Sequence, residues 1–331
     1  MKKAIIAVIV TATAIPMAMS LTQVNTGGGG GSATTVKNSE IKNVNQDVTN
    51  VAEEGSKVNS GIEARGSTIK NSKIDNTNQN VTNKASGGST INSGIQANGA
   101  TIKDSKLENR NVKVENTATE GSVINSGIMA NDATIKNSTL SNVNEGVTNK
   151  ASKNSVINSG IIADGATIKN STVANSNKKV TNTADEGSTI NSGIGLEKAT
   201  VKDSVIINTN ENVTNIAKGG SAINSGISAS GSEIKNSKLL NQNTDVKNTA
   251  TNESSINSGI YADDAKIKNS TITNINKNVT NTADGKSTIN SGIMVDGATI
   301  KDSKISNTNT NVTNTATGGS TVNSGIDLGG N

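Results

Sequence analysis

The stretch "TIKNSKIDNTNQNVTNKASGGSTINSGIQANGA" (residues 68–100) decides the fold, because the chain repeats it nine times. Each copy has 33 residues, and the copies fill 35–331 without a break. Numbered within a copy, position 3 is always Lys, positions 5 and 22 are Ser, and positions 9, 11, 16 and 25 are Asn. Position 14 is always Val, position 18 is Ala, and positions 2, 7 and 24 are Ile, Val or Leu. Such a fixed period is typical of repeat architectures.

The fixed positions alternate along the copy, which indicates β-strands rather than helices. Shared faces are formed by Ile74, Asn76 and Asn78, by Val81, Asn83 and Ala85, and by Ser89, Ile91, Ser93, Ile95 and Ala97. The phase slips at Asn71–Ser72, Gln79–Asn80, Ser86–Gly88 and Asn98–Ala100, which we expect to be corners. We therefore predict an all-β fold: a parallel, in-register β-solenoid (β-helix) of nine 33-residue rungs, right-handed by the crossover rule.

The composition excludes much enzyme and metal chemistry. There is no Cys, His, Trp or Phe, and Tyr261 is the single aromatic residue. Disulfides and thiolate metal sites are therefore excluded, as is the usual general base. The acidic residues sit mostly in variable columns and form no recurring acid–base pair. We predict that the chain is not an enzyme and has no cofactor.

The asparagine columns predict hydrogen-bonded ladders inside the solenoid. Rungs stack ~4.8 Å apart, so an inward Asn can donate to the Asn of the next rung and accept from the one behind. The candidates in two successive copies are Asn76, Asn78, Asn83, Asn109, Asn111 and Asn116. The alternative is that some of them lie in turns and bond their own backbone.

A second fixed set is expected to point outward from the longest face. It consists, in three copies, of Asn92, Gly94, Asn125, Gly127, Asn158 and Gly160. Outward positions normally vary, so we expect this flat Asn-Gly face to pack laterally against another sheet or filament.

The lysine column forms a basic stripe at position 3 of every copy. Its members are Lys37, Lys70, Lys103, Lys136, Lys169, Lys202, Lys235, Lys268 and Lys301. The favoured interpretation is a solvated stripe that discourages wrong lateral pairing. The alternative is a contact track for a polyanion such as DNA or an acidic polysaccharide.

The first 20 residues, "MKKAIIAVIVTATAIPMAMS", are predicted to be a signal peptide. Lys2 and Lys3 precede a short apolar run, and Ala18 and Ser20 suit cleavage before Leu21. The run is too short for a comfortable membrane span, so no stable membrane insertion is expected after cleavage. Residues 21–34 form an N-terminal segment with a Gly-rich tether, followed by the repeats over 35–331. We expect a secreted protein, extracellular or on the cell surface.

At the level of architecture, the repeat array resembles bacterial functional amyloids, in particular the curli and Fap-type major fibre subunits. The resemblance is carried by tandem Asn/Ser/Gly-rich repeats such as "NQNVTNKASGGSTINSGI" (residues 78–95), a signal peptide and the absence of cysteine. It implies export in an unfolded form, assembly at the outer surface and a role in a biofilm matrix.

The pattern at the ends of the array predicts self-association. The last copy keeps the inward pattern of Val322, Ser324 and Ile326, so both ends should present unpaired strands to another copy. Head-to-tail contact does not close and gives an extracellular amyloid-like fibre. The alternative is a monomeric solenoid adhesin or surface-binding module that contacts polysaccharide, DNA or ice through a side face.

Overall fold

The computed structural model describes residues 35–328, which form the predicted nine-rung parallel β-solenoid. Each rung contributes strands to four sheets, numbered here in chain order from the first to the fourth. The predicted signal peptide and tether (1–34) and the last three residues lie outside the described residues. No helix within 35–328 has the length and apolar character needed to cross a membrane.

The first sheet holds the Thr-Ile-Lys segment of each copy. Its nine strands are Thr35–Lys37, Thr68–Lys70, Thr101–Lys103, Thr134–Lys136, Thr167–Lys169, Thr200–Lys202, Glu233–Lys235, Lys266–Lys268 and Thr299–Lys301.

The second sheet is the widest and carries the Asn columns of positions 9, 11 and 16. Six rungs contribute two strands each: Glu40–Gln46 and Thr49–Ala52, Lys73–Gln79 and Thr82–Ala85, Lys106–Val112 and Glu115–Ala118, Thr139–Glu145 and Thr148–Ala151, Thr172–Lys178 and Thr181–Ala184, Val205–Glu211 and Thr214–Lys218. In the last three rungs the two strands join into Lys238–Thr251, Thr271–Asp284 and Lys304–Ala316.

The third and fourth sheets meet at the "NSGI" phrase: its Asn ends each strand of the third sheet, and its Ile begins each strand of the fourth. The third comprises Lys57–Asn59, Thr90–Asn92, Val123–Asn125, Val156–Asn158, Thr189–Asn191, Ala222–Asn224, Ser255–Asn257, Thr288–Asn290 and Thr321–Asn323. The fourth comprises Ile62–Glu63, Ile95–Gln96, Ile128–Met129, Ile161–Ile162, Ile194–Gly195, Ile227–Ser228, Ile260–Asp263, Ile293–Asp296 and Ile326–Asp327.

Every pairing between rungs is parallel and in register over 33 residues. Asn76 pairs with Asn109, for example, and Lys70 with Lys103. Each column of the sequence is therefore a physical row along the solenoid, and like side chains stack on like.

The corners fall where the strand phase slips. Asn71 and Asn80 adopt left-handed conformations with φ of 49° and 52°, and Gly87 and Gly99 do so at the next two corners. Asparagine and glycine tolerate this region better than branched residues, which is why they occupy the corners. The four predicted corners of this copy are confirmed.

The chain also bends at a place that was not predicted, Ser93–Gly94, between the third and fourth sheets. The amides of Ser93 and Gly94 both donate to one carbonyl, that of Asn125 in the next rung, at 2.8 and 3.0 Å. Two consecutive amides that share one acceptor cannot continue a regular ladder, so the predicted long strand is divided in two.

The apolar core is divided into three stripes that run the length of the solenoid. The largest includes Ile69, Ile74 and Ile95; a second pairs the columns of Ala85 and Ile91; the third is the column of Val81. The Asn columns lie between these stripes, so the interior is polar as well as apolar.

Candidate functional site: polar ladders, end rungs and the lysine row

The predicted inner ladders form three rows of buried, hydrogen-bonded amides. Nδ2 of Asn76 donates to Oδ1 of Asn109 at 2.7 Å, and Asn78 donates to Asn111 at 2.8 Å. Asn83 donates to Oδ1 of Asn116, also at 2.8 Å. The side chains of all six candidates are at most 1% exposed. In the described residues the donors of these three ladders point towards the C-terminal end.

The serine of "NSGI" satisfies the remaining hydrogens of those amides. The carbonyl oxygen of Ser93 accepts from Asn76 at 2.6 Å and from Asn78 at 2.8 Å, while its hydroxyl lies 3.0 Å from Nδ2 of Asn83. A buried amide hydrogen without a partner costs about 1–3 kcal/mol. One serine per rung therefore completes the hydrogen bonding of three asparagines.

Asn92, Asn125 and Asn158 were predicted to point outward, but the structure buries them. Asn92, Asn125 and Asn158 are 5%, 1% and 3% exposed. They form a fourth ladder, in which Asn125 donates to Asn92 and Asn158 donates to Asn125, each at 2.8 Å. Oδ1 of Asn92 also accepts from the amide of Gly94 at 3.2 Å, which fixes the bend. The donors of this ladder point towards the N-terminal end, opposite to the inner three.

The glycines predicted on that face are fixed for a reason inside the chain. Gly94, Gly127 and Gly160 are buried, and a Cβ on any of them would overlap the carbonyl oxygen of the equivalent glycine in the next rung. At Gly94 the same Cβ would lie 2.9 Å from the amide nitrogen of Gly127. Backbone cannot move aside as a flexible side chain can. The close stacking of rungs is sufficient to explain these glycines.

The two end rungs differ in exposure. In the first rung, Ile62 and Ala64 are 3% and 4% exposed, whereas Ile326 and Leu328, in the same columns of the last rung, are 45% and 57% exposed. The last rung is therefore an apolar edge at which the strands of the described chain stop.

The ladders give the two ends opposite hydrogen-bonding character. Within the described residues, Nδ2 of Asn307, Asn309 and Asn314 donates to Ser324 and to no further asparagine. At the other end, no asparagine among the described residues donates to Oδ1 of Asn43, Asn45 or Asn50, whose side chains are 4%, 5% and 5% exposed. Among residues 35–328, the last rung thus has three donors and the first rung three acceptors, in the same columns, that lack a ladder partner.

Charges that face each other across rungs form exposed ion pairs on the second sheet and its corners. Examples are Lys153 with Glu120 at 3.2 Å and Lys178 with Glu211 at 3.5 Å. Within a single rung, Lys73 also pairs with Asp75, and their hydrogen bond raises the pKa of Lys73. Exposed pairs of this kind contribute little to stability.

The lysine row differs from these pairs. Its nine members stack in register along the first sheet, Lys103 on Lys136 on Lys169 for instance. No ion pair within residues 35–328 involves any of the nine. These nine residues are half-buried to exposed.

In the described part of the chain, no three or more Asp or Glu residues lie close enough together to hold a metal ion. Tyr261 lies in the fourth sheet, where burial raises its pKa and the carboxylates of Asp263 and Asp296 add to the effect.

Comparison with known proteins gives little beyond this geometry. No protein-family model matches the chain, and no curated protein matches it. Among solved structures, the pentapeptide repeat protein HetL from the cyanobacterium Nostoc sp. is 9% identical, with 82% of this chain and 87% of that chain covered and a TM-score of 0.13. The Streptococcus pneumoniae surface protein and adhesin PfbA is 7% identical, with 86% and 90% covered and a TM-score of 0.18. The A-module of the Azotobacter vinelandii mannuronan C-5 epimerase AlgE4 is 11% identical, with 83% and 91% covered and a TM-score of 0.15. Scores this low carry no argument about function.

Proposed function

We propose that this protein is a secreted structural subunit that stacks end to end into an extracellular amyloid-like fibre, as a biofilm matrix component or surface filament. The observation that carries the proposal is the complementarity of the two end rungs. Among residues 35–328, the donors of Asn307, Asn309 and Asn314 have no ladder acceptor beyond them, and the acceptors of Asn43, Asn45 and Asn50 have no ladder donor before them.

A joint between two copies would repeat the contact that already exists between rungs. The first and last copies share the fixed Lys, Ser, Asn, Val and Ala columns, so apolar stripes and ladders would continue across the joint. The three inner ladders would continue only head to tail, since two like ends would oppose donor to donor or acceptor to acceptor in those columns. A head-to-tail contact is heterologous and does not close, so it propagates as a filament.

The exposed last rung supplies a driving force for the joint. Ile326 and Leu328 would lose their contact with water when a first rung covers them. Burying an aliphatic side chain of this size contributes about 1.5–3 kcal/mol. Open strand edges also recruit further strands, and the described chain ends in such an edge.

Export in this proposal rests on residues 1–20, whose charge and apolar pattern suit a signal peptide. The absence of His and Cys, together with the scattered acidic residues, supports a structural role rather than catalysis.

The test is electron microscopy of the mature chain (residues 21–331) over a rising concentration series. We expect unbranched filaments one solenoid wide. The variant Ile326→Lys places a charge in the proposed joint and should raise the concentration needed for filaments by at least tenfold, the effect of about 1.4 kcal/mol per joint.

The matched control is Val123→Lys, which adds the same charge at an outward valine that is 37% exposed on the side of the third rung. It should assemble like the unmodified chain. Equal assembly of both variants, or a chain that stays monomeric at every concentration, would contradict the proposal.

A further inference from the structure

We infer that the lysine row is a binding surface for a linear acidic polysaccharide, a chain with a carboxylate on each sugar. The surface is the first sheet together with the corner column that follows it, from Asn38 to Asp302 in steps of 33 residues. It is independent of fibre formation, because a single molecule carries all nine rungs.

The charge of the molecule is unevenly distributed around its circumference. The first sheet and its corner carry ten lysines and four acidic residues, namely Glu233, Asp104, Asp203 and Asp302. The rest of the described chain has nineteen basic and twenty-three acidic residues. One face of a nearly neutral molecule is therefore clearly positive, and charge of this kind attracts an acidic chain.

The charge on this face is not balanced within the molecule. Where Lys and Glu face each other across rungs elsewhere, they pair, as Lys153 does with Glu120. In the lysine row every neighbour along the solenoid is another lysine, so like charges are held ~4.8 Å apart. An acidic chain laid along the row would relieve this repulsion, and it would release its own counterions.

The shape of the row favours a straight ligand. Nine rungs place the ammonium groups on a line roughly 40 Å long at the ~4.8 Å strand spacing. An extended acidic polysaccharide carries a carboxylate on every sugar and can run straight, so carboxylates that turn towards the row recur along its whole length. In duplex DNA each strand advances 3.4 Å per phosphate and winds away from a straight line, so few phosphates could meet the row.

The chemistry around the row also favours sugar over nucleic acid. A column of threonines runs beside the lysines, including Thr101, Thr134 and Thr167, and offers hydroxyl groups to a sugar. No aromatic side chain lies on this face, so bases would find nothing on which to stack. The opposite edge of the first sheet carries acidic turn residues such as Asp164 and Glu197, which confine an acidic chain to the lysine side.

The test measures binding of polygalacturonate, with uncharged dextran and duplex DNA as comparison ligands. Protein is kept below the concentration at which any filaments form, so the outcome does not depend on assembly. We expect polygalacturonate to bind more tightly than duplex DNA, dextran not to bind, and the affinity for polygalacturonate to fall as salt rises.

The decisive variant changes five lysines of the row to glutamine: Lys103, Lys136, Lys169, Lys202 and Lys235. Its affinity for polygalacturonate should fall more than tenfold. The matched control changes five exposed lysines outside the row to glutamine: Lys42, Lys84, Lys218, Lys247 and Lys277. Its affinity for polygalacturonate should fall less than threefold. Changing the five row lysines to arginine should preserve binding, which separates loss of charge from loss of fold.

Three results would overturn the inference. They are equal losses in the two glutamine variants, tighter binding of duplex DNA than of polygalacturonate, and no binding of the unmodified protein at low salt.

Discussion

At the scale of single residues, the phrase "NSGI" is fixed by contacts within the stack. Ile95 lies in the apolar core, and Ser93 completes the hydrogen bonding of three asparagines. Asn92 forms a ladder of reversed direction and holds the bend, and Gly94 leaves room for the next rung's backbone. Each letter has a partner 33 residues away, so no outside partner is needed to explain it.

The first prediction concerns the glycine. Gly160→Ala should lower the free energy of unfolding by about 1–3 kcal/mol, because the new Cβ overlaps the carbonyl oxygen of Gly193 and forces the rungs apart. Chemical denaturation followed by circular dichroism measures the change.

The control for this variant is Gly195→Ala in the same region of the solenoid. The nearest atom to its Cβ would be the carbonyl oxygen of Ile161 at 4.0 Å, an ordinary contact. We expect a change within about 0.5 kcal/mol. Similar losses at the two glycines would refute the close-approach explanation.

The second prediction concerns the inner ladders. Asn144→Asp removes both donors, to Oδ1 of Asn177 and to the carbonyl of Ser159, each at 2.8 Å, and buries a charge. The free energy of unfolding should fall by about 3 kcal/mol. Lowering the pH should recover part of the loss, since it returns a proton to the carboxylate.

The same substitution at an exposed corner serves as the comparison. Oδ1 of Asn38 accepts from Asn71 at 3.2 Å, and a carboxylate can accept equally well. Asn38→Asp should leave stability nearly unchanged. A small loss at Asn144 as well would mean that the inner ladder contributes little.

At the scale of elements, the rung is the structural unit, and much of it could be predicted from sequence. The columns of Ile74, Asn76 and Asn78 predicted the strands and ladders, and the phase slips predicted the corners. The bend at Ser93–Gly94 was missed because Ile91, Ser93 and Ile95 keep a two-residue period straight through it. The Asn-x-Gly spacing repeated in every copy was the available signal. Ladder direction could not be predicted, since amide orientation depends on backbone geometry rather than residue identity.

The third prediction follows from the equivalence of rungs. Deleting residues 134–166, one complete copy, joins the third rung to the fifth with every column in register. The variant should fold and be shorter by ~4.8 Å. Small-angle scattering measures the length, and circular dichroism measures the strand content.

A partial deletion provides the contrast. Removing only residues 134–149 leaves an incomplete rung, residues 150–166, between the third and the fifth. This half rung lacks the strands of the first sheet and most of the second, so the ladders and apolar stripes are interrupted there and stability should fall below that of the whole-copy deletion. If the two deletion variants had the same free energy of unfolding, in-register stacking could not be the basis of the fold.

At the scale of the whole molecule, two features extend over all nine rungs: the polarity of the ladders and the lysine row. The direction of the inner hydrogen-bond ladders distinguishes one end from the other, with donors at Asn307, Asn309 and Asn314 and acceptors at the opposite end. It therefore determines how copies could join. The lysine row runs along the side, so an end-to-end fibre would display it continuously.

The most direct test of end-to-end stacking is the mass per unit length of single filaments, measured by scanning transmission electron microscopy. End-to-end stacking predicts one 33-residue rung for every ~4.8 Å of filament, so that one molecule occupies roughly 43 Å. A filament that holds one whole chain for every ~4.8 Å, as when unwound chains stack flat on one another, would contradict it.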